Sequence, residues 1–416
     1  MMRKRLLYLL LMSMLVNSCT TPMAPVNFQP GSFGYDLHFL EQHDSGLVVL
    51  QSNDARVIVS PKYQGKVFTS TAAGEEGPSF GWIHYKAFDG PLDPHMNAYG
   101  GENRLWLGPE GGPFSLFFAK GESMEFSGWH TPAAFDSEPW DLNDSLQNGS
   151  VHNGSRQNSS PTSVSLRKDI ELTNYAGTRL RCRVDRKISL LDVEAINNLL
   201  RTQVPKDVKI VAYRTENTLT NTGVSEWTDS TGMPCMWLLD MFPPSQHTTI
   251  VIPYTKGNPL PATTDYFGPI SGDRLKYQDS VLLFKADGKL RGKLGIHPDR
   301  TKPIAGSYDA ISHILTIILF DRDPIGRYLN QQWRTDLQPF SGDAMNAYND
   351  GPLADGSQMG PFYELESVSS AAFLPPGHSM THWHSVFHFT GDESALDKLA
   401  RATLGISLDQ IKTAFK

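Results

Sequence analysis

A glycine-rich segment, residues 95–112, holds the densest group of polar and aromatic side chains in the sequence. Its glycines allow a loop to bring backbone close to a ligand. Planar polar groups bind vicinal hydroxyls, and an indole face covers the apolar side of a sugar ring, so the segment predicts saccharide binding. The side chains that would carry it are His95, Glu102, Asn103, Arg104, Trp106 and Glu110. The alternative is a tight turn in which Arg104 forms a structural ion pair with Glu102 or Glu110.

Two glutamates, Glu364 and Glu366, follow each other at strand spacing. On a strand they point to the same face, about 6–7 Å apart along the chain. Two carboxylates on one face repel, so at least one needs a cationic or hydrogen-bonding partner, or its pKa rises. A carboxylate with a raised pKa suits general base catalysis. The alternative is an exposed sheet face on which water solvates both acids.

A strand that follows a Pro-Gly turn carries His382, His384 and His388 on one face. A His-x-His pair at this spacing can chelate a metal. Position 386 is a valine, however, and a third ligand would have to come from elsewhere in the chain. The pattern therefore favours a polar strand face, with His382 and His384 as candidate ligand-binding residues. We expect no metal and no cofactor.

Two single residues complete the set of candidates. Asp240 lies in the otherwise apolar segment 235–242, where a charge must be paired or functional. His130 follows the glycine-rich segment and stands beside Trp129. Either side chain can also be a satisfied polar group of the interior. No Gly-x-Ser-x-Gly, phosphate-loop or Cys-x-x-Cys motif occurs in the sequence.

The first residues indicate where the protein is located. A basic start, residues 3–5, precedes the apolar stretch 6–16, which in turn leads to Cys19. This order resembles a bacterial lipoprotein signal, in which residues 1–18 are removed and Cys19 is lipidated. We therefore expect anchoring in the cell envelope, at the outer membrane and facing the periplasm, with residues 19–32 as a tether. The alternatives are an ordinary secretory signal and an N-terminal anchor.

The rest of the chain reads as antiparallel β structure. Short runs rich in β-branched and aromatic residues alternate with clusters of Gly, Pro, Asn and Asp over residues 33–391. They predict one large antiparallel β-sandwich domain. Residues 392–416 have helical spacing, with Ser407 as an N-cap, and predict two short terminal helices. Cys182 and Cys235 could form a disulfide or remain two buried free thiols.

Composition excludes several classes of protein. The 416 residues contain 37 basic and 44 acidic side chains, a formal net charge of −7, which argues against a nucleic-acid partner. At 39% hydrophobic residues the chain is too apolar to be intrinsically disordered. No apolar run reaches the roughly 20 residues that span a bilayer.

These segments together resemble the galactose mutarotase-like superfamily, and more narrowly bacterial lipoproteins related to aldose epimerases. The resemblance rests on residues 100–104 with Trp106, on Glu366 ahead of the Pro376-Gly377 turn and the histidine-bearing strand, and on the strand that ends at residues 217–222. It implies a supersandwich of two large antiparallel sheets with a sugar site on its concave face.

The resemblance also implies roles for particular residues. Asn103 and Arg104 would hold the substrate, and Glu366, with Glu364 as the second choice, would remove the anomeric hydroxyl proton. His130 would be the acid at the ring oxygen, from its place in the chain order.

The leading hypothesis is a carbohydrate-active lipoprotein that epimerises sugars at the anomeric carbon by acid–base catalysis. A second hypothesis is a non-catalytic glycan-binding lipoprotein of a periplasmic carbohydrate-utilisation system. A third is glycoside cleavage by two carboxyl groups such as Glu110 and Glu366, which requires them to be roughly 5–10 Å apart.

Overall fold

The computed structural model describes residues 27–143 and 160–416. The predicted signal peptide 1–18, Cys19 and most of the predicted tether 19–32 lie outside the described residues. The same holds for nearly all of the Asn- and Ser-rich segment that follows Asn143.

The described residues form antiparallel strands arranged in three sheets. The smallest sheet contains β1 (Val48–Ser52), β2 (Ala55–Ser60) and β3 (Lys66–Thr71). The largest has the order β12 (Leu275–Gln278), β13 (Val281–Lys285), β10 (Thr248–Pro253), β15 (Ile304–Asp309), β16 (Ile314–Phe320), β19 (Ser379–Thr390), β8 (Lys209–Asn221), β7 (Arg179–Leu190), β6 (Ser163–Thr173) and β5 (Asp141–Leu142). The third has the order β11 (Ala262–Thr263), β14 (Gly292–Ile296), β17 (Met345–Asn349), β18 (Tyr363–Val368), β9 (Cys235–Phe242) and β4 (Arg104–Gly108).

The ten-stranded and six-stranded sheets face each other. Side chains of β9 and β18 reach β19 and β15 across the gap, for example where the hydroxyls of Tyr363 and Ser307 meet at 2.7 Å. The alternation of apolar and polar residues along each strand gives both sheets an inner face that packs into one hydrophobic core. The predicted all-β antiparallel sandwich is confirmed.

Short helices cover the outer surfaces. Two lie at the C-terminus as predicted, α3 (Glu393–Thr403) and α4 (Leu408–Thr413), and Ser407 caps α4 in a capping box with Gln410. Leu396 and Leu399 pack on the outer face of the ten-stranded sheet. Two further helices, α1 (Phe33–His43) and α2 (Val193–Leu200), were not predicted. Because α1 is rich in aromatic residues and contains a glycine, its sequence lacks the leucine periodicity that identified the tail.

Cys182 and Cys235, the two cysteines among the described residues, are free thiols. Cys182 lies on β7 and Cys235 on β9, both are buried, and they do not form a disulfide. Burial raises the pKa of each thiol to about 12. Both side chains therefore behave as small core residues.

Arg186 connects the two large sheets through the interior. It is 1% exposed and lies on β7. Its Nε donates to the carbonyl of Gly65 at 3.0 Å, Nη1 donates to Oδ1 of Asn217 at 2.8 Å, and Nη2 donates to the side-chain oxygen of Asn103. Asn103 directly precedes β4, so this guanidinium fixes the start of a strand of the opposite sheet.

We expect Arg186→Met to lower the free energy of unfolding by about 3–5 kcal/mol, because the acceptors on Gly65, Asn103 and Asn217 would stay buried without a donor. Urea denaturation monitored by circular dichroism measures the change. Arg183→Met is the matched control, since this side chain of the same strand is 38% exposed and pairs with Asp169 at the surface. The control should change stability by less than about 1 kcal/mol. Equal effects of the two substitutions would contradict the role of Arg186.

Candidate functional site

A cavity of about 300 Å³ lies on the face of the six-stranded sheet that points away from the ten-stranded sheet. Five strands form its floor, and their lining residues share one face of the sheet because side chains alternate between the two faces of a strand. They are Arg104 and Trp106 of β4, Trp237, Leu239 and Met241 of β9, Lys293 of β14, Tyr348 of β17 and Glu364 of β18. Loop residues close its sides. The polar lining residues are Asp93, His95, Arg104, Glu110, Arg291, Lys293, Tyr348 and Glu364.

Arg104 and Glu364 form a buried ion pair on this floor. Nη2 of Arg104 donates to Oε1 of Glu364 at 2.7 Å, with side-chain exposures of 7% and 8%. The guanidinium also lies 4.9 Å from the centre of the Trp106 ring. Burial raises the pKa of Glu364 to about 8, although Arg104 and Lys293 act to lower it. The ion pair that the sequence left open for Arg104 thus forms with Glu364, and not with Glu102 or Glu110.

Glu366 lies on the same face of β18, as predicted, but does not line the cavity. It is fully buried, and its Oε2 accepts hydrogen bonds from Nε1 of Trp237 at 2.8 Å and from Nζ of Lys293 at 3.1 Å. The carboxyl that reaches the cavity is that of Glu364, the second choice from the sequence. Glu366 is therefore held by Trp237 and Lys293 beneath the cavity, and its roles as the base and as a partner of Glu110 in glycoside cleavage stay predictions.

Lys293 lies among three carboxyl groups. Burial disfavours its charged form, but Glu366, Glu110 and Glu364 together outweigh burial, so the pKa of Lys293 is raised above its ordinary value. Its ammonium also lies 4.6 Å from the centre of the Trp237 ring. This lysine holds a fixed positive charge under the centre of the site.

Glu110 is the second carboxyl that lines the cavity. Its Oε1 accepts a hydrogen bond from Nε1 of Trp129 at 3.1 Å, and its backbone N–H donates to Oε1 of Gln331 at 3.1 Å. Burial raises the pKa of Glu110, and the charge of Lys293 offsets part of this effect. A proton is thus held on this carboxyl at a higher pH than on an exposed glutamate.

Aromatic side chains form the walls. Four indoles line the cavity, and Trp129 and Trp333 are stacked at 5.9 Å while Trp106 and Trp237 meet edge to face at 5.6 Å. They are joined by Tyr348, Phe126, Phe267 and Phe362. Such walls offer apolar faces beside charged groups, which is the combination that saccharides bind.

The two histidines near the glycine-rich segment have different positions. His95 lines the cavity, and its Nδ1–H donates to the carbonyl of Trp129 at 2.6 Å. His130 is exposed, outside the cavity lining, and stacks on the opposite side of His95 at 4.5 Å. The assignment of His130 as the acid is therefore corrected, because its ring is oriented by the carbonyl of Pro94 at the surface.

Five predicted binding residues lie between the sheets and not in the cavity. They are all buried, and each has partners within the protein. These residues are Glu102, Asn103, Asp240, His382 and His384. Their placement corrects the prediction that they bind a ligand in this site.

The interior residues form a connected hydrogen-bond network. Asp240 accepts from Asn103 at 2.5 Å and from Nε2 of His384 at 2.7 Å. The Ser367 hydroxyl forms hydrogen bonds with Nδ1 of His384 at 2.8 Å and with Nε2 of His382 at 3.0 Å. Burial and His384 lower the pKa of His382 to about 3, so His382 is neutral. The group Ser367–His384–Asp240 is sealed from solvent and is structural.

Glu102 belongs to the same interior. Its Oε1 accepts from the Ser70 hydroxyl at 2.7 Å and from Nε2 of His388 at 3.1 Å. The three histidines of β19 share one face, as predicted, and that face points into the sandwich. Within the described part of the chain, no group of three or more His, Cys, Asp or Glu side chains is arranged to hold a metal ion.

Sequence reasoning missed several cavity residues. Lys293 stands in a short Gly-flanked stretch, and its only signal was a charge at an alternate position of an apolar strand. Trp237 on β9 and Tyr348 on β17 are aromatic residues in buried strands, where the sequence does not distinguish a cavity residue from a core residue. Arg291, Trp129 and Trp333 lie in loops, where no periodicity indicates the direction of a side chain.

No helix in residues 27–143 or 160–416 combines the length and the apolar character needed to cross a membrane.

Solved structures that resemble the chain cover most of its length at low identity. A putative aldose 1-epimerase from Escherichia coli K12 is 13% identical, with 82% of this chain and 98% of that chain covered and a TM-score of 0.45. A galactose mutarotase-like protein from Lactobacillus casei is 9% identical, with 82% and 100% covered and a TM-score of 0.45. The Slr1438 protein from Synechocystis is 14% identical, with 83% and 96% covered and a TM-score of 0.48.

None of the curated proteins matches the chain. The model of a family of unknown function, DUF6786, matches residues 31–415, and the chain therefore belongs to this family.

Proposed function

We propose that the chain binds a saccharide in the cavity and interconverts its anomers by acid–base catalysis. The observation that carries the proposal is the pair of carboxyl groups, Glu364 and Glu110, that reach one cavity whose walls are four indoles. Indole faces cover the apolar side of a pyranose, while Arg104 and His95 offer polar contacts to its hydroxyls.

The two carboxyl groups can perform the proton transfers. The carboxylate of Glu364 takes the proton of the anomeric hydroxyl, the bond between C1 and the ring oxygen breaks, and the ring oxygen takes a proton from Glu110. This gives the open-chain aldehyde. Rotation about the C1–C2 bond and closure on the other face of the carbonyl return both protons. The raised pKa of Glu110 keeps its proton available, and Lys293 stabilises the carboxylate that is left.

A second candidate is binding without turnover. It is favoured by the ion pair between Arg104 and Glu364, which engages both side chains with each other at 2.7 Å. A ligand that leaves this pair intact would be held by the indoles and the remaining polar groups. The chain would then be a glycan-binding component of a carbohydrate-utilisation system.

We also propose that the protein is anchored by a lipid on Cys19 and faces the periplasm from the outer membrane. The support is the order of a basic start, an apolar stretch and a cysteine at residues 3–19. A lipid anchor would place the cavity where saccharides enter the envelope.

Glu364→Gln should reduce anomer interconversion by about 10²-fold or more, because the amide cannot accept the anomeric proton. Exchange NMR on a panel of free hexoses measures the rate, and calorimetry measures binding. Glu216→Gln is the matched control, since Glu216 is an exposed glutamate on β8. Saccharide binding by the wild type with no interconversion would establish the second candidate, and no binding at all would refute both.

The rate should be bell-shaped in pH. The active form has Glu364 ionised and Glu110 protonated, so the two carboxyl groups together carry one proton. Burial raises the pKa of both groups, that of Glu364 to about 8. After subtraction of the uncatalysed rate, kcat/KM should fall at low pH, where both groups are protonated, and above about pH 8, where both are ionised. A kcat/KM that stays constant from about pH 7 to about pH 10 would show that this pair does not supply the base and the acid.

Cys19→Ser should prevent lipidation and release the protein from the membrane fraction, because a serine has no thiol to acylate. Mass spectrometry of the N-terminal peptide and membrane fractionation are the measurements. Cys182→Ser serves as the comparison, since Cys182 is a buried core residue. Retention of the Cys19→Ser protein in the membrane would contradict the anchor.

A further inference from the structure

A second cavity of about 210 Å³ lies beside the first. The two are adjacent, because six residues line both: Glu110, Phe126, Phe267, Arg291, Lys293 and Trp333. Ligand pockets are about 300–1,000 Å³ in volume. The first cavity alone stands at the lower end of this range, and the two cavities together lie well within it.

The second cavity repeats the side-chain chemistry of the first. Tyr266, Phe267 and Trp333 supply aromatic surfaces, and Gln331 and Gln332 supply planar amides. Aromatic faces combined with planar polar groups suit a sugar ring with its apolar side and its hydroxyls.

These groups are held in place before any ligand binds. The Tyr266 hydroxyl donates to Oδ2 of Asp343 at 2.7 Å. The Arg291 guanidinium lies 3.7 Å from the centre of the Phe267 ring, and Nε2 of Gln332 donates to Asp265 at 3.0 Å. Oε1 of Gln331 accepts a hydrogen bond from the backbone N–H of Glu110. The Gln331 amide, which lines the second cavity, therefore also holds the backbone of a residue that lines the first. Preorganised groups lose less entropy on binding.

We propose that the second cavity is a subsite for a further sugar residue, so that the ligand is a saccharide of two or more residues. This inference rests on the proposed function. The reducing-end residue lies in the first cavity beside Glu364 and Glu110, and the preceding residue lies against Tyr266 and Trp333. Arg291, which lines both cavities, stands where the two rings are joined.

The experiment compares hexoses with disaccharides that carry the same hexose at the reducing end. Calorimetry on the full chain uses glucose with maltose and cellobiose, galactose with β-1,4-galactobiose, and mannose with β-1,4-mannobiose. For at least one pair the disaccharide should bind about tenfold more tightly or better, since a second ring is buried.

Leu353→Trp tests the position of the second ring. Leu353 lines only the second cavity and is 46% exposed, so an indole at this position fills the space without disturbing the core. The disaccharide should then lose its advantage over the hexose. Gln332→Ala should also reduce the advantage of the disaccharide over the hexose, and it replaces Leu353→Trp as the test if that variant does not fold. Ile325→Trp is the matched control, because Ile325 is 93% exposed and lines neither cavity.

The outcomes separate the two proposals. If hexoses and disaccharides bind equally, or if both Leu353→Trp and Gln332→Ala leave the advantage of the disaccharide intact, the second subsite is refuted while the proposed function stands. If no saccharide in the panel binds the wild-type chain, the proposed function fails and the subsite fails with it.

Discussion

One ammonium group, that of Lys293, stands among three buried carboxyl groups, and the charged floor of the cavity depends on it. Burying an unpaired carboxylate costs free energy, so a buried carboxyl group either pairs with a cation or takes up a proton. Lys293 is 3.1 Å from Glu366, and Arg104 is 2.7 Å from Glu364. Among the described residues Glu110 forms no ion pair, and it accepts a hydrogen bond from Nε1 of Trp129 at 3.1 Å. Burial still raises the pKa values of Glu364 and Glu110, because the nearby cations offset only part of its effect.

Strand alternation separates this floor from the network inside the sandwich. Neighbouring residues on or directly before three strands point in opposite directions. Arg104, Leu239 and Glu366 point towards the cavity side of the six-stranded sheet. Asn103, Asp240 and Ser367 point towards the ten-stranded sheet. A slip of one residue would exchange the two sets. The hydrogen bonds of Asp240 and Ser367 to His384 hold the register, and in this way residues of the interior direct Glu364 into the cavity.

The sequence predicted the fold better than the site, and particular residues show why. Spacing placed Glu364 and Glu366 on one face of a strand, and the structure agrees. Spacing cannot tell how deep each side chain lies, and the preference for the fully buried Glu366 over Glu364 came from the family resemblance. The cluster of polar residues at 102–104 was identified correctly, but only Arg104 reaches the cavity. Alternation turns Asn103 away from Arg104, while Glu102 lies before β4 begins and bonds to Ser70 and His388 in the interior.

The loops set a different limit on prediction. His130 directly follows Trp129 and His95 stands 34 residues before it, but only His95 lines the cavity, and each ring is oriented by a contact with a backbone carbonyl. Contacts of this kind depend on tertiary structure and leave no trace in residue spacing. Lys293 had no motif around it, because its role comes from partners on β18 and in the segment after β4, far from it in the chain.

The indoles contribute both to the ligand-binding surface and to the environment of the carboxyl groups, and this affects how substitutions at the site are interpreted. Trp129 is a wall of the cavity and also donates to Glu110, while Trp237 is part of the floor and donates to Glu366. The same rings exclude water, and the loss of water is what raises the carboxyl pKa values. Replacing either indole would therefore change ligand affinity, a hydrogen bond and a pKa together. Substitutions that keep the side-chain volume and change only the charge, such as glutamate to glutamine, separate these effects. Substitution of the carboxyl groups, and not of the aromatic walls, therefore tests whether the cavity is catalytic.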